Sequence, residues 1–310
     1  MKQKVVIALG GNALGNTPDE QKAAVLETSK SIADLVESGV QVTICHGNGP
    51  QVGMIKKAMD TASKTDPTIP EMPFPECGAM SEGYIGFHLQ CALHNEIKSR
   101  NLDINVVSMV TQVLVDIEDS SFKNPTKPIG SFMTKEEADA LAKTGVSVAE
   151  DAGRGYRQVV ASPHPIDIIE GAAISYLVDT GTVVIAGGGG GIPVVYQDGK
   201  LTGIDAVIDK DLTSVRLAQT VDADTLIILT AVEKVAINFG KPDETWLDEL
   251  SVEDAKMYIE KNEFAAGSML PKIKAAIEFA ESKEGRKTLI TSLEKAGDGL
   301  KGQTGTWIVR

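Results

Sequence analysis

Val5-Val6-Ile7-Ala8-Leu9 runs into Gly10-Gly11-Asn12, and a second apolar run over 40–45 leads through His46 into Gly47-Asn48-Gly49-Pro50. Both runs are rich in β-branched residues, which suit a pleated strand. Between them, Thr17-Pro18-Asp19-Glu20 has the form of a helix capping box with proline at the first helical position, and Val25, Ile32, Leu35 and Val36 then recur at helical spacing up to Gly39. The stretch predicts one βαβ unit, and with it a parallel sheet covered by helices on both faces. Each glycine turn then falls at the carboxyl end of a strand, where open α/β sheets bind ligands and where unobstructed backbone N–H groups suit phosphate.

Reading outward, a second helix follows Pro50, a third spans about 78–99, and 106–115 reads as one further strand. From 119 to 170 the texture changes. Asn124-Pro125-Thr126-Lys127-Pro128-Ile129-Gly130, Asp151-Ala152-Gly153-Arg154-Gly155-Tyr156-Arg157 and Ser162-Pro163-His164-Pro165 interleave with one short helix beginning at Thr134, which predicts a subdomain inserted into a single domain of 310 residues. The alternating pattern resumes with a helix to about Asp179, a strand over 182–186, the five glycines 187–191 and a hairpin around Asp198-Gly199. Asp209-Lys210-Asp211 then opens a helix before the apolar strand 225–229. Helices near 252–260 and 272–281 and strands at 288–291 and 306–309 complete the chain.

With 30 basic and 43 acidic residues the chain carries −13, which argues against nucleic acid or an anionic membrane as its main partner. An anionic substrate therefore needs a locally basic pocket. The mean hydropathy of −0.03 describes a soluble globular chain. No apolar run reaches membrane-spanning length and 5–9 is too short for a signal segment, so a cytoplasmic protein is expected. Cys45, Cys77 and Cys91 are odd in number, scattered and without metal-ligand spacing, and are expected as buried thiols rather than disulfides or zinc ligands.

Gly47, Gly49 and Gly53 spell G-x-G-x-x-x-G, one residue off the dinucleotide fingerprint, and the P-loop pattern is absent. Three glycine clusters, each after a predicted strand, instead suggest a phosphate cradle. Phosphoryl transfer needs donors and cations aimed at the equatorial oxygens in a water-poor cleft. Lys127 lies between Pro125 and Pro128, which stiffen its loop; Lys210 is flanked by two aspartates that can hold its rotamer. Lys272 follows Pro271 at a helix start, where an ordinary solvated lysine is the competing reading. Arg154 and Arg157 are open in the same way, and His46 reads as a hydrogen-bonded turn residue rather than a general base.

The strings ALGGNAL at 8–14, HGNGPQVG at 46–53, NPTKPIG at 124–130, EDAGRGYR at 150–157, GGGGIPV within 187–194, AVIDKD at 206–211 and GSMLPKI at 267–273 together resemble the carbamate kinases of the amino-acid kinase superfamily. The match runs in order from Lys4 to Val309, and NPTKPIG inside an insertion together with EDAGRG is the part specific to carbamate kinases and their close relatives. The resemblance implies an open, mainly parallel eight-stranded sheet between helices, a protruding lid over 119–170 and a homodimer. It implies reversible phosphoryl transfer between ATP and carbamate, giving ADP and carbamoyl phosphate, with ATP production as the working direction. Lys127 from the lid, with Lys210 and Lys272 from the core, would clamp the transferring group, and Asp211 would orient the lysines. Gly10, Gly11 and Asn12, with Gly47, Asn48 and Gly49, would hold oxygens of phosphate and carbamate. The adenine pocket is expected around Thr230, Asn238, Gly267, Ser268 and Met269. Mg²⁺ is expected to ride on the nucleotide, with no protein metal site, since the sequence offers no carboxylate cage. A related kinase of another small acid would not need the NPTKPIG lid, and a catalytically idle binding relative would be expected to have lost one of the three lysines; all are present.

Overall fold

The structure is a computed structural model that describes residues 2–10, 17–151 and 154–310. In chain order it begins β1 (Lys4–Leu9), α1 (Pro18–Glu37), β2 (Gln41–His46), α2 (Gly49–Thr65), α3 (Phe74–Ser99), β3 (Val106–Ser108) and β4 (Gln112–Val115). Next come β5 (Lys127–Met133), α4 (Lys135–Ala142), β6 (Val148–Glu150), β7 (Tyr156–Val160), β8 (Pro165–Ile168), α5 (Gly171–Asp179), β9 (Val183–Ile185), β10 (Ile192–Gln197) and β11 (Lys200–Gly203). The remainder is α6 (Lys210–Thr220), β12 (Thr225–Leu229), β13 (Val235–Ile237), β14 (Thr245–Leu247), β15 (Glu249–Ser251), α7 (Val252–Glu260), α8 (Met269–Glu281), β16 (Lys287–Thr291), α9 (Ala296–Leu300) and β17 (Thr306–Val309).

Eight strands form one sheet in the order β15-β17-β16-β12-β1-β2-β9-β3, with only the β16–β17 pair antiparallel. β1 is central: Val5 pairs with Val42 on one side and Thr225 on the other. Its side chains alternate between two cores. Val6 and Ala8 face Val215 and Leu217 of α6 and Ile273 and Phe279 of α8, while Val5, Ile7 and Leu9 face Ile32 and Leu35 of α1 and Leu89 and Leu93 of α3. Both faces are covered, which is why the strand is a continuous apolar run rather than an alternating one. The expected eight-stranded, mainly parallel α/β architecture is the one observed. The predicted capping box starts α1: the Glu20 N–H donates to Thr17 Oγ1 at 3.3 Å and the Thr17 N–H to the Glu20 carboxylate at 3.2 Å. Such a cap contributes about 1 kcal/mol.

Three expectations need correction. The stretch 106–115 is not one strand: β3 ends the large sheet, whereas β4 joins a second sheet of order β11-β10-β4-β8. The break comes at Thr111, whose N–H donates to Glu82 at 3.1 Å and whose hydroxyl accepts the Gly187 N–H at 2.9 Å, so side-chain bonds redirect the chain without glycine or proline. α3 begins at Phe74, four residues earlier than expected, because Pro75 sits in its first turn, where its missing N–H costs nothing. Cys91 is exposed, while Cys45 and Cys77 are buried.

Within the irregular stretch, β5, β6 and β7 form a small antiparallel sheet in the order β5-β7-β6, with α4 between β5 and β6. β8 lies outside it and pairs with β4. A small apolar cluster of Val52, Phe74, Cys77, Ile129, Val160 and Val207 joins this sheet to α2 and α3. At the contact a Cβ on Gly53 would lie 2.5 Å from the Gly130 Cα, so the two backbones meet where neither carries a side chain.

Candidate functional site

Parallel strands β1, β12 and β16 end on the same edge of the sheet, and beyond them opens a cleft of about 660 Å³. Gly10 after β1, Leu229 and Thr230 at the end of β12, and Ser292 to Glu294 after β16 contribute to its walls. Into the same cleft come Lys127 from the small sheet, Asp209, Lys210 and Asp211 from the start of α6, and Pro271 and Lys272 from the first turn of α8.

The charged groups are tied together. Lys210 Nζ donates to Asp211 Oδ1 at 2.5 Å, Lys272 Nζ donates to Asp211 Oδ2 at 2.9 Å, and Lys127 Nζ donates to Asp209 Oδ2 at 2.5 Å. Asp209 is also the N-cap of α6, its Oδ1 accepting the Asp211 N–H at 2.9 Å. Asp211 is 3% exposed. Burial opposes its ionisation, but Lys210 and Lys272 outweigh burial and hold its carboxyl well below the usual range. Lys210 shows the reciprocal balance: burial favours the neutral amine, yet Asp211 and Asp209 raise its pKa and keep it charged. Asp209 is likewise lowered, the Lys127 ammonium prevailing over burial and over the neighbouring Asp211. The linked cluster itself holds three ammonium groups against two carboxylates, with Glu294 elsewhere on the cleft wall, so positive charge is gathered around the lysines in a chain of −13.

The glycine turns divide. Gly10 lines the cleft; Gly11 and Asn12 lie outside the described residues. The Gly47 N–H is engaged by the Leu9 carbonyl at 3.0 Å, so Gly47 serves the cluster through its missing side chain: a Cβ there would lie 3.3 Å from Lys210 Cδ. Asn48 is buried and donates to Ser81 Oγ at 3.0 Å, and Gly49 opens α2, whose positive end therefore lies beside this turn. The third run, 187–191, is not a cradle. Its N–H groups at Gly187, Gly188, Gly190 and Gly191 go to Thr111, Glu82, Gly187 and Gly188, and side chains there would strike His46 and Asn48. It is glycine because neighbouring side chains need the space and because Gly187, Gly189, Gly190 and Gly191 all have φ between 65° and 97°.

A second, more apolar cavity of about 480 Å³ adjoins the first, sharing Thr230, Ala231 and Ser268. Val232, Ala236, Phe264 and Met269 line it, together with Phe239 and Trp246, whose rings meet edge to face at 6.1 Å. Of the residues expected around adenine, Thr230, Ser268 and Met269 line this cavity and Gly267 lines the charged cleft. Asn238 holds the adjoining turn, with φ of 54° and its N–H donating to Glu263 at 2.9 Å.

The amino acid kinase family profile matches residues 3–292. The chain belongs to the amino acid kinase family. It is 57% identical over 308 residues to a carbamate kinase-like protein of Escherichia coli (strain K12), covering 99% of both chains. Identity to carbamate kinase 3 of Staphylococcus aureus (strain USA300) is 52% over 306 residues, covering 98% of this chain and 99% of that one. The fold superposes on the carbamate kinase from Giardia lamblia bound to AMP-PNP with a TM-score of 0.90 and 44% identity, covering 99% of this chain and 98% of that chain. These full-length relatives place this amino acid kinase in the carbamate kinase branch.

Several residues of this amino acid kinase were not legible as site components. Asp209 was visible only as a neighbour of Lys210, yet it holds Lys127 from 82 residues away. Phe239 and Trp246 meet through the β13–β14 hairpin, whose three-residue strands are too short for a periodic signal. Glu82 is buried in α3 and accepts the Gly188 N–H at 2.9 Å and the Thr111 N–H at 3.1 Å; burial pushes its carboxyl up to about 8 against the pull of those amides. Arg157 donates to the Gly130 carbonyl at 3.1 Å and to Asp151 at 3.0 Å, and both Arg154 and Arg157 stack over Phe132, so this pair braces the small sheet. No helix among the described residues is long and apolar enough to cross a membrane.

Proposed function

We propose that this chain is a carbamate kinase, exchanging a phosphoryl group between carbamoyl phosphate and ADP to give carbamate and ATP. The observation that carries the reading is the cluster in which Asp209 and Asp211 hold Lys127, Lys210 and Lys272 at the carboxyl edge of the sheet. A phosphoryl group in transit spreads negative charge over three equatorial oxygens, and cations already fixed in place stabilise it without reorganising. Both oxygens of Asp211 are taken by lysines, so its role is to orient them. Direct in-line transfer follows, with no covalent enzyme intermediate, because positioning and charge neutralisation supply the catalysis.

The adjoining apolar cavity is the place we assign to the adenine, with the charged cleft receiving the phosphates; the AMP-PNP bound by the Giardia lamblia relative supports a nucleotide site. The carbamate end is assigned to the side of Gly10 and the α2 N-terminus, where backbone N–H groups favour an anion. Mg²⁺ enters as part of the nucleotide substrate: Asp209 and Asp211 are occupied by ammonium groups, which supports a cation carried on phosphate oxygens rather than held by these carboxylates. The small sheet acts as the lid, and carbamoyl phosphate, a mixed anhydride, transfers downhill to ADP. A homodimer is part of the reading, supported by exposed Phe87 and Val110 beside edge strand β3, and a cytoplasmic location belongs to the same proposal. The deciding measurement is a coupled assay of ATP formation from ADP, Mg²⁺ and carbamoyl phosphate. Turnover that depends on the protein is expected, and ATP formation no faster than in the same mixture without protein would overturn the assignment.

A further inference from the structure

Asp209 joins parts of the molecule that no backbone element connects. Its Oδ2 accepts Lys127 Nζ, at the start of β5 in the small sheet, and its Oδ1 accepts the Asp211 N–H in the first turn of α6. Asp211 in turn holds Lys210 and Lys272, so all three ammonium groups depend on two adjacent carboxylates. The small sheet also meets the body through Val52, Ile129, Val160, the Gly53–Gly130 approach and the Val207 N–H donating to the Ala161 carbonyl at 3.0 Å, none of which fixes the end of a lysine side chain. An ammonium has three donors, so Lys127 can keep its bond to Asp209 and still present two N–H groups to the cleft that both residues line.

We infer that Asp209 is a positioning residue for phosphoryl transfer: it seats the small sheet and registers Lys127 against Lys210 and Lys272. The inference rests on the carbamate kinase reading, because it gives Asp209 this task only if Lys127 meets the transferring group. Its two oxygens have separable jobs. Asparagine caps a helix as well as aspartate does, so Asp209→Asn preserves the α6 cap while removing the charge that holds Lys127.

The test compares Asp209→Asn, Lys127→Ala and the double variant in full-length protein. For Asp209→Asn the expected result is a thermal midpoint within about 2 °C of the parent and a KM for ADP within about twofold, with kcat lowered about tenfold or more. In the double variant kcat should be no lower than in Lys127→Ala, since one interaction is removed twice. Amide exchange without substrate, a readout independent of activity, should rise over β5 in both single variants. Parent-like kcat and exchange in Asp209→Asn, losses that multiply in the double variant, or a joint fall of thermal midpoint, kcat and ADP affinity would each overturn the inference. If Lys127→Ala keeps parental kcat, the clamp role of Lys127 fails instead, and the exchange data alone decide whether Asp209 seats the sheet.

Discussion

Lys272 reaches Asp211 across 61 residues of chain and donates to its Oδ2 at 2.9 Å, leaving the other oxygen to Lys210. A carboxylate occupied on both oxygens and held well below its usual pKa accepts no proton from a substrate at neutral pH. What it provides is a fixed angle between two positive charges. That arrangement makes α6 and α8 parts of one device, although nothing local to either helix start requires it.

Asp211→Asn is therefore expected to lower kcat by a few powers of ten while leaving ADP affinity within about tenfold, because the lost effect belongs mainly to the transition state. The substitution also strips the counter-charge from two half-buried ammonium groups, a type of loss that costs about 3–5 kcal/mol of stability. Steady-state kinetics, ADP titration and thermal denaturation of the same preparation separate these effects. A nearly normal kcat would remove Asp211 from the site.

At Lys127, charge and placement can be separated. Lys127→Ala should lose about 3 kcal/mol or more of transition-state stabilisation, the scale of one preorganised donor, and Lys127→Arg should recover only part, since a planar fork does not reproduce a compact ammonium. The side chain is 29% exposed and outside the main cores, so the thermal midpoint should hold. The check is kcat/KM for carbamoyl phosphate; parental activity in Lys127→Ala would make it a surface lysine.

His46 sets an acid limit on stability. Burial lowers its pKa to about 4, Lys210 adding to the effect and the bond to the Gly47 carbonyl opposing it. Between about pH 6.5 and 4 the unfolded chain binds a proton here and the native chain does not, so the His46 contribution to stability rises with pH across that window and is lost on acidification, by roughly 3 kcal/mol at most, against the opposite slope of Glu82, which is held protonated in the native chain up to about 8. His46→Asn should remove the rising contribution and turn the slope of the stability–pH curve downward with pH in this window, as followed by urea denaturation. An unchanged slope in the variant would show that other groups cause the acid loss.

Gly53→Ala tests the seat of the small sheet without touching a charge. The new Cβ would lie 2.5 Å from the Gly130 Cα and 2.7 Å from its N, backbone atoms that cannot swing aside. Overpacking of this kind costs about 1–3 kcal/mol. We expect faster amide exchange over β5 and α2 and a lower kcat, with the eight-stranded sheet retained by circular dichroism. Parental exchange and kcat would mean that the contact has slack.

Legibility in the sequence followed the range of the forces involved. The first βαβ unit was readable because capping, helical spacing and β-branched runs act within a few residues, and Thr17 and Glu20 do bond as a box. The redirection at Thr111 was not, since its partners Glu82 and Gly187 lie 29 and 76 residues away. The three lysines could be chosen from their motifs, but their geometry depends on which carboxylate each reaches. The bond from Lys127 to Asp209 spans 82 residues. The run 187–191 misled because glycine looks the same in a sequence whether it admits a ligand or a neighbouring side chain.

The place of β1 in the middle of the sheet also dictates an order of assembly. Its neighbour β2 follows within 46 residues of the N-terminus, but β12 ends only at Leu229. A ribosome adding about 5–20 residues per second leaves one apolar edge of β1 open for tens of seconds, roughly 10 to 45, before its second neighbour exists. The charged cleft is later still, for Lys272 must emerge before Asp211 has both of its partners. The cleft is therefore incomplete until α8 is made, and the edge of β1 that β12 will cover stays unpaired while β2 to β11 are built, a template for wrong pairing that only the late partner removes.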